Sequence, residues 1–349
     1  MSLIVNTFAF HHEFDRLLAS INTLLIWVLA FLYFQVFLNS ESNIGKIKKI
    51  ILFNFGVLFF FYLVMLVTHY ILGMSNLSYM GKVLFSSSWY EDAEEVRFQG
   101  FLEYPNLVPL FLMMFTPFLF HYVNTKSFGK LKMFFLIVFS ILLVNASLSR
   151  SGLIAILFGF VAYSMIFYSS KNIKLFTAIS SFAIAMTLCF MYFFHGFTFL
   201  YDKFDQIANA REGSNLTRGS IYESSIQRTF ENSPLIGMGI KDISPFDNLP
   251  YGSHSTYLGF FYKTGIIGFV IGVLLFLFVI FKIYAQSKHF FKNYNLKFFL
   301  CMFSSLSLVL IFEDIDGSNW LIVYYFIIIG ILLNKKNWRN SNENLFSNV

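Results

Sequence analysis

Charged residues are scarce in this chain. Only 13% of the 349 residues are charged and 57% are hydrophobic, whereas about a quarter of a soluble domain is charged. With a mean hydropathy of +0.65, this composition excludes an ordinary soluble protein and indicates an integral membrane protein. The two cysteines, Cys189 and Cys301, lie inside apolar runs, so we predict neither a disulfide framework nor a cysteine-based metal site. The first 16 residues contain no basic n-region, so no cleaved signal peptide is expected.

Long apolar runs hold the surplus of hydrophobic residues. Each run is near the roughly 20 residues that cross a bilayer as a helix. The sequence therefore predicts an all-α fold, a polytopic membrane helix bundle of about nine spans that forms a single integral membrane domain over residues 1–349. The predicted spans are 17–38, 50–73, 105–123, 133–147, 152–169, 175–195, 254–281, 298–312 and 320–333.

Basic and acidic residues alternate between the connections of these spans. One set of connections carries 14 lysines and one arginine with almost no acids, and the opposite set carries nearly all the aspartates and glutamates. Because cytoplasmic loops are enriched in positive charge, this pattern predicts an outward N-terminus and a cytoplasmic C-terminus. It also explains the net charge of +6, so no nucleic-acid partner is predicted.

Arginine is concentrated on the predicted outward side. The outward arginines are Arg16, Arg97, Arg150, Arg211, Arg218 and Arg228. Arginine binds phosphate and carboxylate groups with two parallel donors and keeps its charge when partly buried. For Arg16, Arg211 and Arg228, surface salt bridges with the outward acids are the favoured interpretation.

Arg150 lies in the tightest predicted outward turn, Asn145 to Gly152, with no acid near it in sequence. A lone arginine there could extend its side chain to the lipid headgroups. However, an ionisable residue at membrane depth is by default a functional hypothesis. The flanking Ser149, Ser151 and Gly152 would let a ligand approach the backbone closely, which favours a functional role.

The largest soluble segment is the outward loop 196–253, in which two short amphipathic helices are predicted on the membrane surface. The apolar face of the first helix contains Leu200, Phe204 and Ile207, and that of the second contains Ile221, Ile226 and Phe230. Ser214 and Thr217 are possible caps of the second helix, and Pro234, Gly237 and Gly239 end it.

His254 follows this loop at the outer mouth of the next span. A histidine of near-neutral pKa can take a proton from a hydroxyl group. An amphipathic ring resting at a span end is an equally open alternative.

Four motifs over residues 95–270 resemble those of the O-antigen polymerase and O-antigen ligase superfamily, and they occur in the family order. They are Arg-Phe-Gln-Gly at 97–100 with Pro105-Asn106, Ser-Leu-Ser-Arg-Ser-Gly at 147–152, Arg218 through Pro-Leu-Ile-Gly-Met-Gly at 234–239, and Ser-His-Ser-Thr-Tyr-Leu at 253–258 with Gly265 and Gly268. Family members often have ten to twelve spans, and Ser151 and Ser255 stand where glycine and asparagine are common.

The resemblance implies a GT-C-like membrane glycosyltransferase of the bacterial inner membrane. Its donor and acceptor would be oligosaccharides on undecaprenyl diphosphate at the periplasmic face, and a chain-length regulator protein is a possible partner. It implies that Arg150 and Arg218 bind the diphosphate with Arg97 as a third contact. His254 would be the general base or would position the acceptor hydroxyl. We expect no cofactor and metal independence, although Asp314 and Asp316 could in principle bind a cation.

The family contains two activities. A polymerase is favoured over a ligase by the small chain and by the segment from Arg97 to Asn106, and nothing in the sequence indicates a site for lipid A–core. A transporter or flippase for lipid-linked sugars remains an alternative, but it would place ionisable residues near the bilayer midplane, and Lys263 is the main charge inside a predicted span. A membrane scaffold is the third alternative, and it would need no arginines selected over lysines on one side.

Overall fold

The computed structural model describes residues 7, 9, 14–39, 44–87, 96–124, 129–165, 212–243, 250–285 and 294–334, and these are mostly helical. The helices are α1 (Phe14–Asn39), α2 (Ile44–Leu66, continued by a π-helical turn at Val67–Ile71), α3 (Leu107–Asn124), α4 (Gly129–Ala146), α5 (Arg150–Met165), α6 (Glu212–Asn232), α7 (Thr256–Ala285), α8 (Tyr294–Val309) and α9 (Asn319–Leu333). A 3₁₀ turn at Ile315–Gly317 precedes α9.

Three of these helices are long and apolar enough to cross a bilayer. They cover Phe14–Asn39, Lys49–Ile71 and Thr256–Val279. Shorter apolar helices, of 10–17 residues, lie in α3, α4, α5, α8 and α9. Each overlaps a predicted span, whereas the predicted span 175–195 lies outside the described residues. A membrane protein built from apolar helices is therefore confirmed, and the full set of nine crossings and the GT-C-like arrangement stay predictions.

The helix α3 is the centre of the bundle. Every residue from Leu107 to Phe120 is buried, and the helix contacts α2, α4, α8 and α9. A helix that is apolar all round lies in lipid or among neighbouring helices, and here aromatic side chains enclose it, with Phe118 against Phe299 at 4.8 Å between ring centroids. The residues just before α3 are thus held at a fixed point at one end of the bundle.

The helices α1 and α9 pack closely along much of their length. Gly330 makes this possible, because a Cβ atom built there would lie 2.8 Å from the Phe34 carbonyl oxygen. Small residues allow such close approach between membrane helices. At one end, the Asn334 side-chain amide donates to the Phe37 carbonyl at 3.0 Å. The ends of α1 and α9 that the sequence places in the cytoplasm therefore lie together.

A small antiparallel sheet was missed by the all-α prediction. Strands β1 (Leu77–Tyr79), β2 (Lys82–Ser87) and β3 (Val96–Phe98) pair in that order. Met80 and Gly81, with φ of 51° and 74°, connect β1 to β2, and two successive positive φ values are typical of a tight hairpin turn. The sheet positions Arg97 at the entrance to the segment that leads into α3.

The second predicted amphipathic helix exists as α6, but its predicted caps were wrong. Because α6 begins at Glu212, Ser214 and Thr217 lie inside it and do not cap it. Its fully buried residues are Ile221, Ser225 and Thr229, which follow the spacing of one helix face. The residues Ile226 and Phe230 of the predicted apolar face are 41% and 55% exposed. The first predicted helix, with Leu200, Phe204 and Ile207, lies outside the described residues.

The segment after α6 docks into a break in α7. Gly265 has φ 64° and ψ −163°, a conformation that is essentially restricted to glycine. The break frees backbone groups, and residues 234–239 bind them. The four hydrogen bonds run from Met238 N to Tyr262 O (2.7 Å), Gly239 N to Lys263 O (3.1 Å), Ile266 N to Pro234 O (2.9 Å) and Ile267 N to Leu235 O (3.2 Å). Two motifs that are 30 residues apart in sequence thus form one backbone interlock.

Candidate active site

A polar cavity of about 560 Å³ lies where three connections of the chain meet. The connections join β3 to α3, α6 to α7, and α8 to α9, and all three were predicted to face outward. Its charged and polar lining residues are Arg16, Lys241, Lys263, Glu313, Asp314, Asp316, Thr23, Tyr104, Asn106, Ser253 and His254, and Ile240, Ile243, Pro250 and Gly317 complete the wall. The predicted outward side of the chain therefore folds into one charged cavity.

Glu313 joins two of the predicted site arginines. Only 3% of its side chain is exposed, and its Oε1 accepts from the Asn106 amide at 2.7 Å and from Arg218 Nη2 at 3.4 Å. Asn106 Oδ1 in turn accepts from Arg97 Nη2 at 2.9 Å. A continuous chain of polar contacts therefore connects Arg97 with Arg218.

Burial sets the protonation of Glu313. Removal of the carboxylate from water disfavours its charged form and raises its pKa to about 7, although the Arg218 guanidinium and the Asn106 amide act in the opposite direction. A carboxyl group with such a pKa exchanges its proton near neutral pH. Its ionisation then decides how strongly Arg218 is held.

The backbone beside Glu313 is tied to the start of α7. The Glu313 carbonyl accepts from both the backbone amide and the hydroxyl of Thr256, at 3.0 and 2.8 Å. The same hydroxyl accepts from the Ile315 amide at 2.8 Å. These bonds satisfy the free groups at the N-terminus of α7 and hold Glu313 close to His254, two residues before Thr256.

His254 lines the cavity, as predicted for a residue at the mouth of this span. It is half-buried and has φ 59°, a left-handed conformation that is uncommon for a residue with a side chain. The Tyr222 hydroxyl donates to the His254 carbonyl at 2.6 Å, which fixes this turn. Burial, and next the positive charge of Arg218, lower the pKa of His254 to about 4. The ring is therefore neutral at pH 7, and it is a weaker base than the near-neutral histidine that the sequence suggested.

Arg150 is the first residue of α5 and is half-buried. The turn before it contains Leu148 with φ 53°, and the Ser147 carbonyl accepts from Arg97 Nε at 3.4 Å. Gly152 lets α5 begin against α3, since a Cβ atom there would lie 2.3 Å from the Pro109 ring. The structure thus brings the Arg150 turn beside Arg97. In the described part of the chain, the residues that line the cavity include His254 but not Arg97, Arg150 or Arg218.

Two lysines neutralise the two aspartates of the cavity. Lys241 pairs with Asp314, and Lys263 pairs with Asp316. The aspartates therefore contact ammonium groups rather than converging on a common point. Among the described residues, no group of three or more His, Cys, Asp or Glu side chains is placed to hold a metal ion.

Two further arginines of the predicted outward side form salt bridges, as the sequence suggested. Arg16 and Arg228 both contact the Asp242 carboxylate, at 3.6 and 3.0 Å, and the Arg228 guanidinium lies 4.9 Å from the centre of the Tyr251 ring. These contacts fix the connection between α6 and α7 over the cavity. Arg211 lies outside the described residues.

Comparison with known families matches a segment that carries part of this site. Residues 135–273 match the family model described as O-Antigen ligase. Over this segment, which we call the family domain, the chain is similar to the O-antigen ligase family. The resemblance to the O-antigen polymerase and ligase superfamily is therefore confirmed, on a match that spans about two-fifths of the chain. No curated protein matches the chain.

The family domain contains Arg150, Arg218, His254 and Lys263, whereas Arg97, Asn106 and Glu313 lie outside it. Sequence reasoning assigned no role to Glu313, Lys241 or Lys263. Glu313 follows an apolar run directly and Lys263 interrupts one, and an ionisable residue in such a place is the signal that could have identified them. Lys241 gave no comparable signal, because it lies in a polar loop.

Proposed function

We propose that this protein is an O-antigen polymerase, a membrane glycosyltransferase that joins repeat units linked to undecaprenyl diphosphate at the periplasmic face of the inner membrane. The family domain supports this class of enzyme. The observation that carries the proposal is the position of the charged cavity directly beside an apolar groove.

The groove has a volume of about 330 Å³ and is lined by residues of α1, α7, α8 and α9. Its walls are mostly apolar and include Trp27, Phe260 and Phe303. Thr23 and Lys263 line both the groove and the polar cavity. A lipid-linked sugar has the matching order along its length: an apolar tail that suits the groove, then a charged diphosphate and a polar sugar chain that suit the cavity.

The proposed reaction is a glycosyl transfer. The acceptor hydroxyl attacks the anomeric carbon of the donor, and the bond from that carbon to the diphosphate oxygen breaks. The lipid diphosphate leaves with the electron pair, and the proton of the hydroxyl passes to neutral His254. Positive charge beside the leaving group stabilises the transition state more than the ground state. We assign this role to Arg150 and Arg218, with Arg97 as a third contact.

The polar contacts of the site support this assignment of roles. Glu313 and Asn106 hold Arg97 and Arg218 in one network, and Arg97 contacts the turn that precedes Arg150. Preorganised donors of this kind need little rearrangement as charge develops. With cations already present around the cavity, we propose a transfer that requires no metal ion and no cofactor.

The proposed setting follows from the charge pattern of the chain. The cavity would face the periplasm, with the N-terminus on the same side and the C-terminus in the cytoplasm. Lipid-linked donor and acceptor would be the substrates, and a chain-length regulator protein would be a partner. We infer no contact with nucleic acid.

A ligase is the second candidate, because the matched family model is described as O-Antigen ligase. A ligase would use the same donor and the same cations but would transfer the finished polymer to lipid A–core. The cavity offers no feature that separates the two acceptors.

The lipopolysaccharide ladder of a deletion strain tests the proposal. The strain is complemented with the wild type, Arg150→Ala or His254→Ala, with Lys82→Ala, an exposed outward cation of the hairpin, as the matched control. We expect single-repeat lipopolysaccharide after deletion, full ladders with the wild type and the control, and none with the two site variants at equal membrane abundance. Bare core with polymer accumulating on the carrier lipid would instead identify a ligase. Full ladders from both site variants would refute the assignment and reopen the transporter alternative.

A further inference from the structure

Lys263 lies at the junction of the apolar groove and the polar cavity. It belongs to α7, and its side chain is only 8% exposed. It lines both spaces, and among the described residues that line the groove it is the only one with a formal charge. The break at Gly265 fixes its backbone, since the Lys263 carbonyl accepts from the Gly239 amide at 3.1 Å.

A second ammonium group lies beside it on the same helix face. Gly259 precedes Lys263 by four residues, which is about one helical turn. A Cβ atom built at Gly259 would lie 3.3 Å from Lys241 Nζ, so the Lys241 side chain packs over this glycine. The lysines thus place two positive charges along one face of α7 at the edge of the cavity.

The carboxylate that faces Lys263, that of Asp316, lacks hydrogen bonds. Asp316 forms an ion pair with Lys263, but both of its carboxylate oxygens are buried and neither accepts a hydrogen bond within the described part of the chain. Buried polar groups normally have at least one hydrogen-bond partner, and an orphaned one calls for an explanation. A buried ion pair whose carboxylate accepts no hydrogen bond contributes little to stability. An ammonium group held in this way is available to a better anion.

We propose that Lys263, with Lys241 beside it, binds the phosphate nearest the lipid in the polyprenyl diphosphate, and that Asp316 occupies the ammonium group while the site is empty. This inference rests on the proposed function. A polyprenyl diphosphate has its charge between the tail and the sugar, and Lys263 has the corresponding position between groove and cavity. The arginines around Glu313 would then hold the phosphate nearest the sugar, which leaves with the breaking bond.

Binding to the full-length protein in lipid nanodiscs tests the proposal. The probes are undecaprenyl diphosphate and the uncharged alcohol undecaprenol, and the variant is Lys263→Met. We expect the variant to bind the diphosphate at least about tenfold more weakly, because a charge-assisted contact to phosphate is lost, and to bind the alcohol unchanged. Lys282→Met, an exposed lysine further along α7, is the matched control and should bind both probes as the wild type does. Inorganic diphosphate should compete poorly, since it lacks the tail; full competition at equal concentration would show a site for the free anion instead.

Asp316→Asn should change diphosphate binding in the opposite direction. It removes the competing carboxylate, so we expect the diphosphate to bind several-fold more tightly, which a merely structural salt bridge would not produce. The double variant Lys263→Met with Asp316→Asn leaves no unpaired buried charge and should bind the diphosphate as weakly as Lys263→Met alone.

Three results would overturn the inference, and they differ from a failure of the proposed function. Unchanged diphosphate binding by Lys263→Met would exclude the contact while leaving the enzyme class intact. Equal loss of alcohol binding, or weaker diphosphate binding by Asp316→Asn, would make the pair a structural one. If the wild type binds the diphosphate no better than the alcohol, the proposed function itself fails.

Discussion

Replacement of Gly265 by alanine should break the interlock between the loop after α6 and the helix α7. A Cβ atom at this position would lie 2.4 Å from both the carbonyl carbon and the carbonyl oxygen of Leu235, and 2.5 Å from the Ile236 nitrogen. These are backbone atoms, which cannot rotate away as a side chain would. The φ of 64° adds to the penalty, since a residue other than glycine in this region costs about 1–3 kcal/mol.

The magnitude follows from the strain and from the hydrogen bonds that the clash disturbs. The four bonds between residues 234–239 and α7 measure 2.7–3.2 Å, and each contributes about 0.5–1.5 kcal/mol. If half of them are lost along with the strain penalty, Gly265→Ala destabilises the protein by about 4 kcal/mol, which corresponds to roughly 5 °C in Tm for a chain of this size.

Thermal unfolding of the purified protein in detergent, followed by tryptophan fluorescence, measures this effect. Gly56→Ala is the matched control, because Gly56 lies in the apolar helix α2 and nothing is within 4 Å of a Cβ atom there. We expect the control to keep the Tm of the wild type or raise it slightly, since alanine favours a helix more than glycine does. If Gly265→Ala unfolds at the same temperature as Gly56→Ala, the interlock does not hold the loop in place and our account of these two motifs is wrong.

Three further predictions concern the charged cavity. Glu313→Gln should keep normal membrane abundance but lower polymer formation about 10- to 100-fold, because Arg218 loses a charge-assisted partner worth about 1.5–3 kcal/mol; unchanged ladders would exclude Glu313 from the site. Tyr222→Phe should cost about 0.5–1.5 kcal/mol of stability through the lost bond to the His254 carbonyl, and an unchanged Tm would show that this bond does not hold the turn. Because burial lowers the pKa of His254 to about 4, below its ordinary value of about 6.5, the unfolded chain binds this proton first as pH falls. His254 therefore contributes more stability as pH rises from about 4 to 6.5, whereas Glu313, with its pKa raised to about 7, acts in the opposite direction. The measurement is therefore a difference: the Tm of the wild type minus that of His254→Asn should increase over this pH range, and the same difference for Lys82→Ala should stay constant.

The candidate site was predictable in part, and the reasons differ from residue to residue. Arg150 and His254 stood out by their positions at the ends of predicted spans and Arg218 through the family resemblance, and the structure brings Arg218 near enough to His254 to lower the pKa of its ring. Glu313 was missed because its importance depends on burial at 3% exposure and on Asn106, which lies 207 residues earlier. The possible cation site at Asp314 and Asp316 was an expectation from spacing alone, and the lysines that neutralise these residues come from distant parts of the chain.

The sequence alone was enough for the membrane setting and the helical architecture, and it predicts the side on which each connection lies. These follow from composition and from the order of apolar and charged segments, which act locally along the chain. It did not determine the small sheet, because the pairing of three short strands depends on contacts between them. Only the tertiary structure decided which outward residues share a cavity, that an apolar groove adjoins it, and that Lys263 lies between the two. The reason is physical: hydrophobicity places each helix independently, whereas a site is made by helices packing side by side, and that packing is specified by shape and close approach at residues such as Gly330 and Gly265.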